Sequence, residues 1–320
     1  MEIDENLKKL LDIFFPEFLR RKHLVENGQI DFIHYTTADA AVKIIGGKKF
    51  WLRDIRAMND WKEIQHGIEC FRYVINRPIG QKLVHLLGDI GLTFEQNLTD
   101  DLTKTISNLY NHTYIACLSE HTKEDDKNGR LSMLRGYSEA FGVGLVFHPQ
   151  TLLLERPGLN GVFVSSVLYA DFEIFEHNFS EVVENLSNEI DFIKKFDFDK
   201  IKFIFLRWFM FAIACTKHIG FQEEKEWRLL YFPLIEYNNL LSFDIETIRG
   251  LPQIVHKLEM INKPEEGIEY IDIKDNLKKV ILGPSFYQDV LGNAFIYLMN
   301  KNGFENTGQK VFASGIPLRP

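Results

Sequence analysis

Glu224, Glu226 and Arg228, in the run Phe221-Gln222-Glu223-Glu224-Lys225-Glu226-Trp227-Arg228, are the residues best placed to do chemistry. In a strand these three share one face, and Lys225, Trp227 and Leu229 share the other. Two carboxylates and a guanidinium in one row are costly to bury without purpose. Arg228 can neutralise one acid and leave the other to work. An edge strand whose charged face stands in water is the competing account. Glu223-x-Lys225 is also the E-x-K half of a metal-dependent nuclease site, but both residues fall on the face opposite Glu224 and Glu226, with no partner Asp evident.

Four smaller clusters accompany this one. His34-Tyr35-Thr36 end a first strand. Alternation puts His34 and Thr36 on one face, where they can hydrogen-bond a nucleotide's ribose and amide groups, and Tyr35 on the other. A core histidine satisfied by a carbonyl is the plainer reading of His34. Arg53, at the end of a second strand, can hold a phosphate as a planar fork. Asn59 can join it, or serve with Asp60 and Glu63 as a helix cap. Cys117-Leu118-Ser119-Glu120 close a third strand. Ser119 offers a ribose a small donor, Glu120 reads as a solvated loop residue, and Cys117 reads as an inert buried thiol. Arg135-Gly136-Tyr137 precede Gly142-Val143-Gly144. Those glycines let a ligand approach the backbone, and Tyr137 can stack on a base or a nicotinamide ring.

Several chemistries lack their motifs. Gly142-x-Gly144 has Phe147 where a dinucleotide fingerprint needs its third glycine. Gly46-Gly47-Lys48 has neither the upstream glycine nor the Ser/Thr of a P-loop. The ten histidines show no ligand spacing, so no metal is expected.

The elements that must position these residues follow from composition and pattern. The chain has 320 residues, 45% hydrophobic and 26% charged, with 27 Phe for an aromatic-rich core. That excludes disorder, collagen and a small disulfide scaffold. The net charge of −8 disfavours non-specific duplex binding but leaves room for a local basic pocket. Three isolated cysteines and an acidic N-terminus without an apolar run point to a cytoplasmic protein with no signal peptide. Phe203–Cys215 is interrupted by Arg207 and is far shorter than the ~20 residues of a span, so it reads as a buried core helix and no membrane role is expected.

Helical spacing appears over residues 4–21, interrupted by Pro16, and from Trp61 to Ile75 behind Asp60-x-x-Glu63. Strands are expected at 30–36, 50–54, 113–119, 144–147, 162–169, 224–231, 241–244, 268–273, 280–282 and 311–314. Helices are expected at 132–140, 179–193, 197–217 and 286–300. Strands and helices mix without βαβ alternation, which favours α+β. The expectation is a single α+β domain over 1–320 with a central bent mixed sheet, an N-terminal helical segment (1–25) and helical insertions at 80–110 and 172–218.

Six landmarks occur in order: His34-Tyr35-Thr36, Met58-Asn59-Asp60-x-x-Glu63, Cys117-Leu118-Ser119-Glu120, Arg135-x-Tyr137 with Gly142-x-Gly144, Glu224-x-Glu226-Trp227-Arg228, and Ser314-x-Ile316-Pro317-Leu318-Arg319. Together they resemble the bacterial domain-of-unknown-function family 2971 over about residues 31–319. That layout is in turn similar to ADP-ribosyltransferases, which carry a His or Arg on a first strand, a Ser, Thr or Tyr on a middle strand and a catalytic Glu on a late strand. The resemblance implies NAD as substrate and a catalytic set of Glu226, Glu224, His34 and Tyr137. It implies cofactor contacts from Thr36, Tyr35, Arg53, Asn59, Ser119, Arg135 and Arg228. It also implies a protein, nucleic acid or water as acceptor, in a toxin or antiphage setting. A non-catalytic nucleotide-sensing or protein-interaction module is the alternative, and a metal-dependent nuclease comes third.

Overall fold

Helix and strand follow each other irregularly along the chain, in a computed structural model that describes residues 5–28, 30–58, 63–93, 98–137, 141–153, 159, 161–234, 238 and 241–316. Pro16 separates α1 (Glu5–Phe14) from α2 (Pro16–Glu26). There follow β1 (Asp31–Thr37), α3 (Ala38–Gly47) and β2 (Lys49–Asp54). Thr37 caps α3 by accepting from the Ala40 amide at 3.2 Å, and left-handed Lys48 ends it. Next come α4 (Glu63–Ile75), α5 (Pro78–Asp89), α6 (Thr99–Asn111), β3 (Tyr114–His121), α7 (Leu131–Gly136), β4 (Gly142–Phe147), α8 (Gln150–Leu153), β5 (Val162–Ser166) and β6 (Leu168–Ala170). Asp171 caps α9 (Phe172–Asn188), and after α10 (Ile190–Ile193) Asp197 caps α11 (Phe198–Ala214). The rest is β7 (Thr216–His218), β8 (Glu226–Tyr231), β9 (Leu241–Ile248), β10 (Leu251–Glu259), α12 (Ile273–Asn276), β11 (Leu277–Leu282), α13 (Gln288–Lys301) and β12 (Val311–Ala313).

The protein is α+β, as expected, and it divides into two units. Residues 1–23, 55–113 and 165–223 form a largely helical unit, which collects the N-terminal helical segment and both expected insertions. Residues 24–54, 114–164 and 224–320 form the sheet unit.

The sheet runs β12-β11-β4-β1-β3-β2-β10-β9, antiparallel at every step except β11–β12. β3 is its branch point. Ser119 is the partner of both Ile33 and Glu226, and Ile115 is the partner of both Arg53 and Leu230. β8 therefore lines one whole edge of β3, while β1 and β2 share the other edge end to end. One face carries Phe32, Leu145, Phe147, Trp227 and Leu282, all buried. Helix α13 lies on that face, since a Cβ on Gly292 would sit 3.7 Å from Leu282, and α3 meets α13 where Gly46 faces Leu298. The other face carries Ile33, Tyr35, Val146 and Ile281, covered by Met133, Leu134 and Tyr137 of the α7 segment.

Three expectations about strands are corrected. β10 was not anticipated, because Pro252 and Gln253 break the apolar alternation at its start. Residues 268–273 form no strand; Ile268 makes only an isolated bridge to Lys263. β8 starts at Glu226, and Glu224 ends a 3-10 turn (Ile219–Glu224).

In the helical unit α4 packs against α9 and α11, and Phe71 meets Phe209 (4.7 Å), Phe179 (5.9 Å) and Trp208 (6.3 Å). No helix among the described residues is long and apolar enough to cross a membrane.

Gly67 sets the α4–α11 crossing. A Cβ there would lie 2.3 Å from the Ile213 carbonyl oxygen. Gly→Ala inside a helix ordinarily gains roughly 0.5–1 kcal/mol. Gly67→Ala should instead lose about 1–3 kcal/mol, because backbone must move to admit the methyl. Gly88→Ala, with nothing within 4 Å, should show the ordinary gain. Urea melts of both variants check the pair, and a stabilised Gly67→Ala would contradict the close crossing.

Candidate functional site

The strand register decides which of the expected site residues meet. Cross-strand partners in an antiparallel sheet point to the same face. Ile33, Ser119 and Glu226 lie in one row, and Cys117 and Arg228 are partners in the next. Tyr35 and Arg53 fall on this same face by the two-residue period. Ser119, Glu226, Arg228, Tyr35, Tyr137 and Arg53 thus belong to one face. His34 and Thr36 belong to the other, with Leu145, Leu118 and Trp227. The expected grouping of His34 with Glu226 is therefore corrected, because the two project from opposite sides of the sheet.

His34 has a structural job. Between the last β1 pair, Ile33–Ser119, and the first β2 pair, Arg53–Ile115, the edge of β3 has no strand beside it. The Cys117 carbonyl faces that gap, and His34 Nδ1 lies 2.8 Å from its oxygen. Its ring packs edge-on to Phe50 at 4.9 Å, and Phe50 in turn meets Phe147 at 5.7 Å. Burial pushes the His34 pKa down to about 4. The imidazole is neutral at pH 7, with its proton on Nδ1 donated to the carbonyl.

On the other face the carboxylate and guanidinium are deeply placed. Glu226 is 1% exposed and Arg228 is not exposed at all. Arg228 Nε donates to Glu226 Oε1 at 2.9 Å. Ser119, also buried, stands beside Glu226. Tyr35 receives the Arg130 amide N–H on its hydroxyl at 3.0 Å, and burial pushes its phenol up to about 12. Tyr137 follows α7 and packs half-buried on the cluster around Tyr35. Arg53 Nε donates to Gln253 Oε1 at 3.1 Å, and burial lowers its pKa.

Other expected residues are placed elsewhere. Glu224 is not on the strand, so it shares no row with Glu226 and Arg228. Arg135 is exposed on α7. Glu120 is not a solvated loop residue: it lies within β3, 8% exposed, and accepts the Trp227 indole N–H at 3.1 Å. Trp227 itself is fully buried on the face opposite Glu226. Asn59 lies outside the described residues. Among the described residues no group of three metal-ligating side chains is assembled.

Two residues that position Glu226 were not given that role in the sequence. Lys225 has φ 44°, the left-handed region, and turns the chain from the 3-10 segment into β8. Arg130, at the end of the polar 121–130 loop, bridges that corner. Its guanidinium donates to the Glu224 carbonyl at 3.3 Å, to the Glu120 carbonyl, and to Asp125 Oδ2 at 3.1 Å. Burial works against the Asp125 carboxylate, but Arg130 outweighs it and holds its pKa below the usual range. The only sequence signal was a lone Arg closing an acidic loop, Glu124-Asp125-Asp126 to Arg130.

The arrangement sets a hydroxyl and a carboxylate side by side in one buried row, with a guanidinium on the carboxylate. No family model matches the chain, and neither a curated protein nor a solved structure matches it.

The His34 geometry fixes a pH response. Its folded pKa is below the ordinary 6.5, so the unfolded chain takes the proton first. The stability this group supports is complete above pH 6.5 and is lost as pH falls toward 4, by about 3 kcal/mol at ~1.4 kcal/mol per unit. Burial also depresses His121 and His256, so they share the acid slope. His34→Asn, whose Nδ2 can still donate to Cys117, should flatten stability between pH 6.5 and 4 and leave stability at pH 7.5 within about 1.5 kcal/mol. Chemical melts at four pH values check it; an unchanged slope would show that His34 does not titrate as placed.

Proposed function

We propose that the sheet unit is an ADP-ribosyltransferase-like catalyst that cleaves the nicotinamide–ribose bond of NAD. The observation that carries the reading is the row Ser119–Glu226 with Arg228 beside it, on the face that also holds Tyr35 and Tyr137. Nicotinamide leaves with the electron pair of the glycosidic bond, and the ribose passes through an oxocarbenium-like state. The Glu226 carboxylate accepts the ribose 2′-hydroxyl and faces the developing positive charge, where fixed negative charge is worth most. Ser119 hydrogen-bonds the same ribose, Tyr137 stacks on the departing ring, and Arg53 holds the pyrophosphate. Water or an acceptor nucleophile then attacks the ribose carbon and releases a proton. His34 takes no part, and Glu224 has no role on the strand. Of the catalytic set the resemblance implied, this reading keeps Glu226 and Tyr137, and a bacterial defence setting is in keeping with it.

A second reading has its own observation. Glu226 is already bonded to Arg228 and almost wholly buried, which is how a structural ion pair in a non-catalytic nucleotide-sensing module would look.

Glu226→Gln separates the two. The catalytic reading expects nicotinamide release from NAD to fall ~10²-fold or more. Because Arg228 is then left buried with a neutral neighbour, the variant should also lose stability, by up to ~3–5 kcal/mol. The double variant Glu226→Gln/Arg228→Met should recover much of that stability while staying inactive. An active wild type matched by an equally active Glu226→Gln would remove Glu226 from the chemistry. NAD binding by calorimetry without any nicotinamide release would favour the sensing module.

A further inference from the structure

We propose that the helical unit carries a binding site of its own, for a small uncharged aromatic molecule with one N–H or O–H donor. The site is a cavity of about 100 Å³ under the elbow where Pro16 joins α1 to α2. It is independent of the NAD reading, since every residue that lines it belongs to the helical unit.

The walls fix the ring. Phe14, Phe15, Phe175, Phe179, Trp208 and Phe211 surround the space. They meet each other tilted or edge-on, with Phe179–Trp208 at 5.7 Å and 44° and Phe15–Phe211 at 5.8 Å and 87°. Such walls offer an incoming ring the offset and edge-to-face contacts that aromatic groups prefer. A dry cavity of ~150 Å³ lined by apolar side chains takes up benzene. The space here is smaller than that, so it suits one ring at most and is too small for a fused pair or a long chain.

The polar lining fixes the donor. Thr216 Oγ1 donates its proton to the Ala212 carbonyl at 2.7 Å, Ser165 Oγ to the Ser166 carbonyl at 3.2 Å, and Asn178 Nδ2 donates to the Ile174 carbonyl at 2.9 Å. Both hydroxyl protons are committed to backbone, as is one of the two Asn178 N–H groups. What the two hydroxyls still offer a guest is oxygen lone pairs, which call for an N–H or O–H on the ligand.

The remaining polar lining fixes the charge. Glu17 and Glu181 also line the cavity and are clamped together by Arg20, at 2.8 Å to Glu17 and 2.8 Å to Glu181. The Arg20 hydrogen bond holds the Glu181 carboxyl below its usual range. Two carboxylates against one guanidinium disfavour an anionic guest.

Phenol is the probe: a single ring with one donor and no charge. Titrated calorimetrically into the full chain, it should bind saturably at one per chain and raise the melting temperature by about 2–4 °C at ten times Kd. Anisole, which lacks the donor, should bind about 5–10-fold more weakly. Benzoate should not bind at concentrations where phenol saturates. Ala212→Leu fills the cavity from α11 and should abolish phenol binding without lowering the melting temperature; if it fails to fold, Ala212→Val tests the same point with a smaller intrusion. No saturable phenol binding overturns the site. Phenol binding unchanged in a folded cavity-filling variant overturns the assigned place. Equal affinity for anisole, or for benzoate, overturns the assigned ligand class.

Discussion

A single carbonyl, that of Cys117, governs the sheet unit. β1 and β2 pair with different stretches of the same β3 edge, and the Cys117 carbonyl faces the interval between them. A buried carbonyl without a donor costs about 1–3 kcal/mol. His34 removes that cost by offering Nδ1–H at 2.8 Å. The sheet can then part at this point, with the β4–β11–β12 branch carried by β1 and the β10–β9 branch by β2. The contact also settles the chemistry of His34. A neutral imidazole with Nδ1 bound to backbone, packed on Phe50, has a structural task that accounts for its type and position.

Parity does the rest. In a sheet the side-chain period is two, so each residue's face follows from its row, and a slip of one residue would exchange the faces. Odd positions on β1 and β3 and even positions on β8 share a face, because Ile33, Ser119 and Glu226 are in register. That face gathers Ser119, Glu226, Arg228 and Arg53. The opposite face takes Phe32, Phe147 and Trp227 into an apolar core under α3 and α13. Glu120 falls on this apolar face and is tolerated there because the Trp227 indole donates to it.

What was legible in the sequence was local. The 3.6-residue spacing from Trp61 to Ile75 is that of α4. The opposite orientation of Trp227 and Glu226 followed from alternation alone, and Trp227 meets Phe32 at 5.2 Å on the face away from Ser119. What was not legible depended on partners far away in sequence. Whether His34 faces Glu226 is decided by how β1, β3 and β8 align, across 83 residues in the case of His34 and Cys117. Glu224 looked like strand because the alternating pattern runs through it. The left-handed Lys225 that ends the pattern leaves no mark in a sequence where such a φ usually belongs to glycine. Arg130 was hidden for a related reason: its acceptors include two backbone carbonyls, of Glu120 and Glu224, which any residue type could supply.

The corner at Lys225 bears on why the acid on β8 is worth burying. A non-glycine residue at positive φ is strained, and strain of this kind persists only where surrounding contacts hold it. Here Arg130 supplies them by binding both chain segments that meet at the corner, with Asp125 fixing the guanidinium in turn. The result is that Glu226 enters the strand on the same face as Ser119, and the first residue of β8 rather than the last of the turn supplies the acid of that buried row. The Glu226–Arg228 pair that follows is poor value as a stabiliser, since apolar residues of similar volume commonly do as well. A strained corner, a dedicated arginine and a buried ion pair all converge on the placement of one carboxylate, and a specific use for that carboxylate accounts for the three together more economically than stability does.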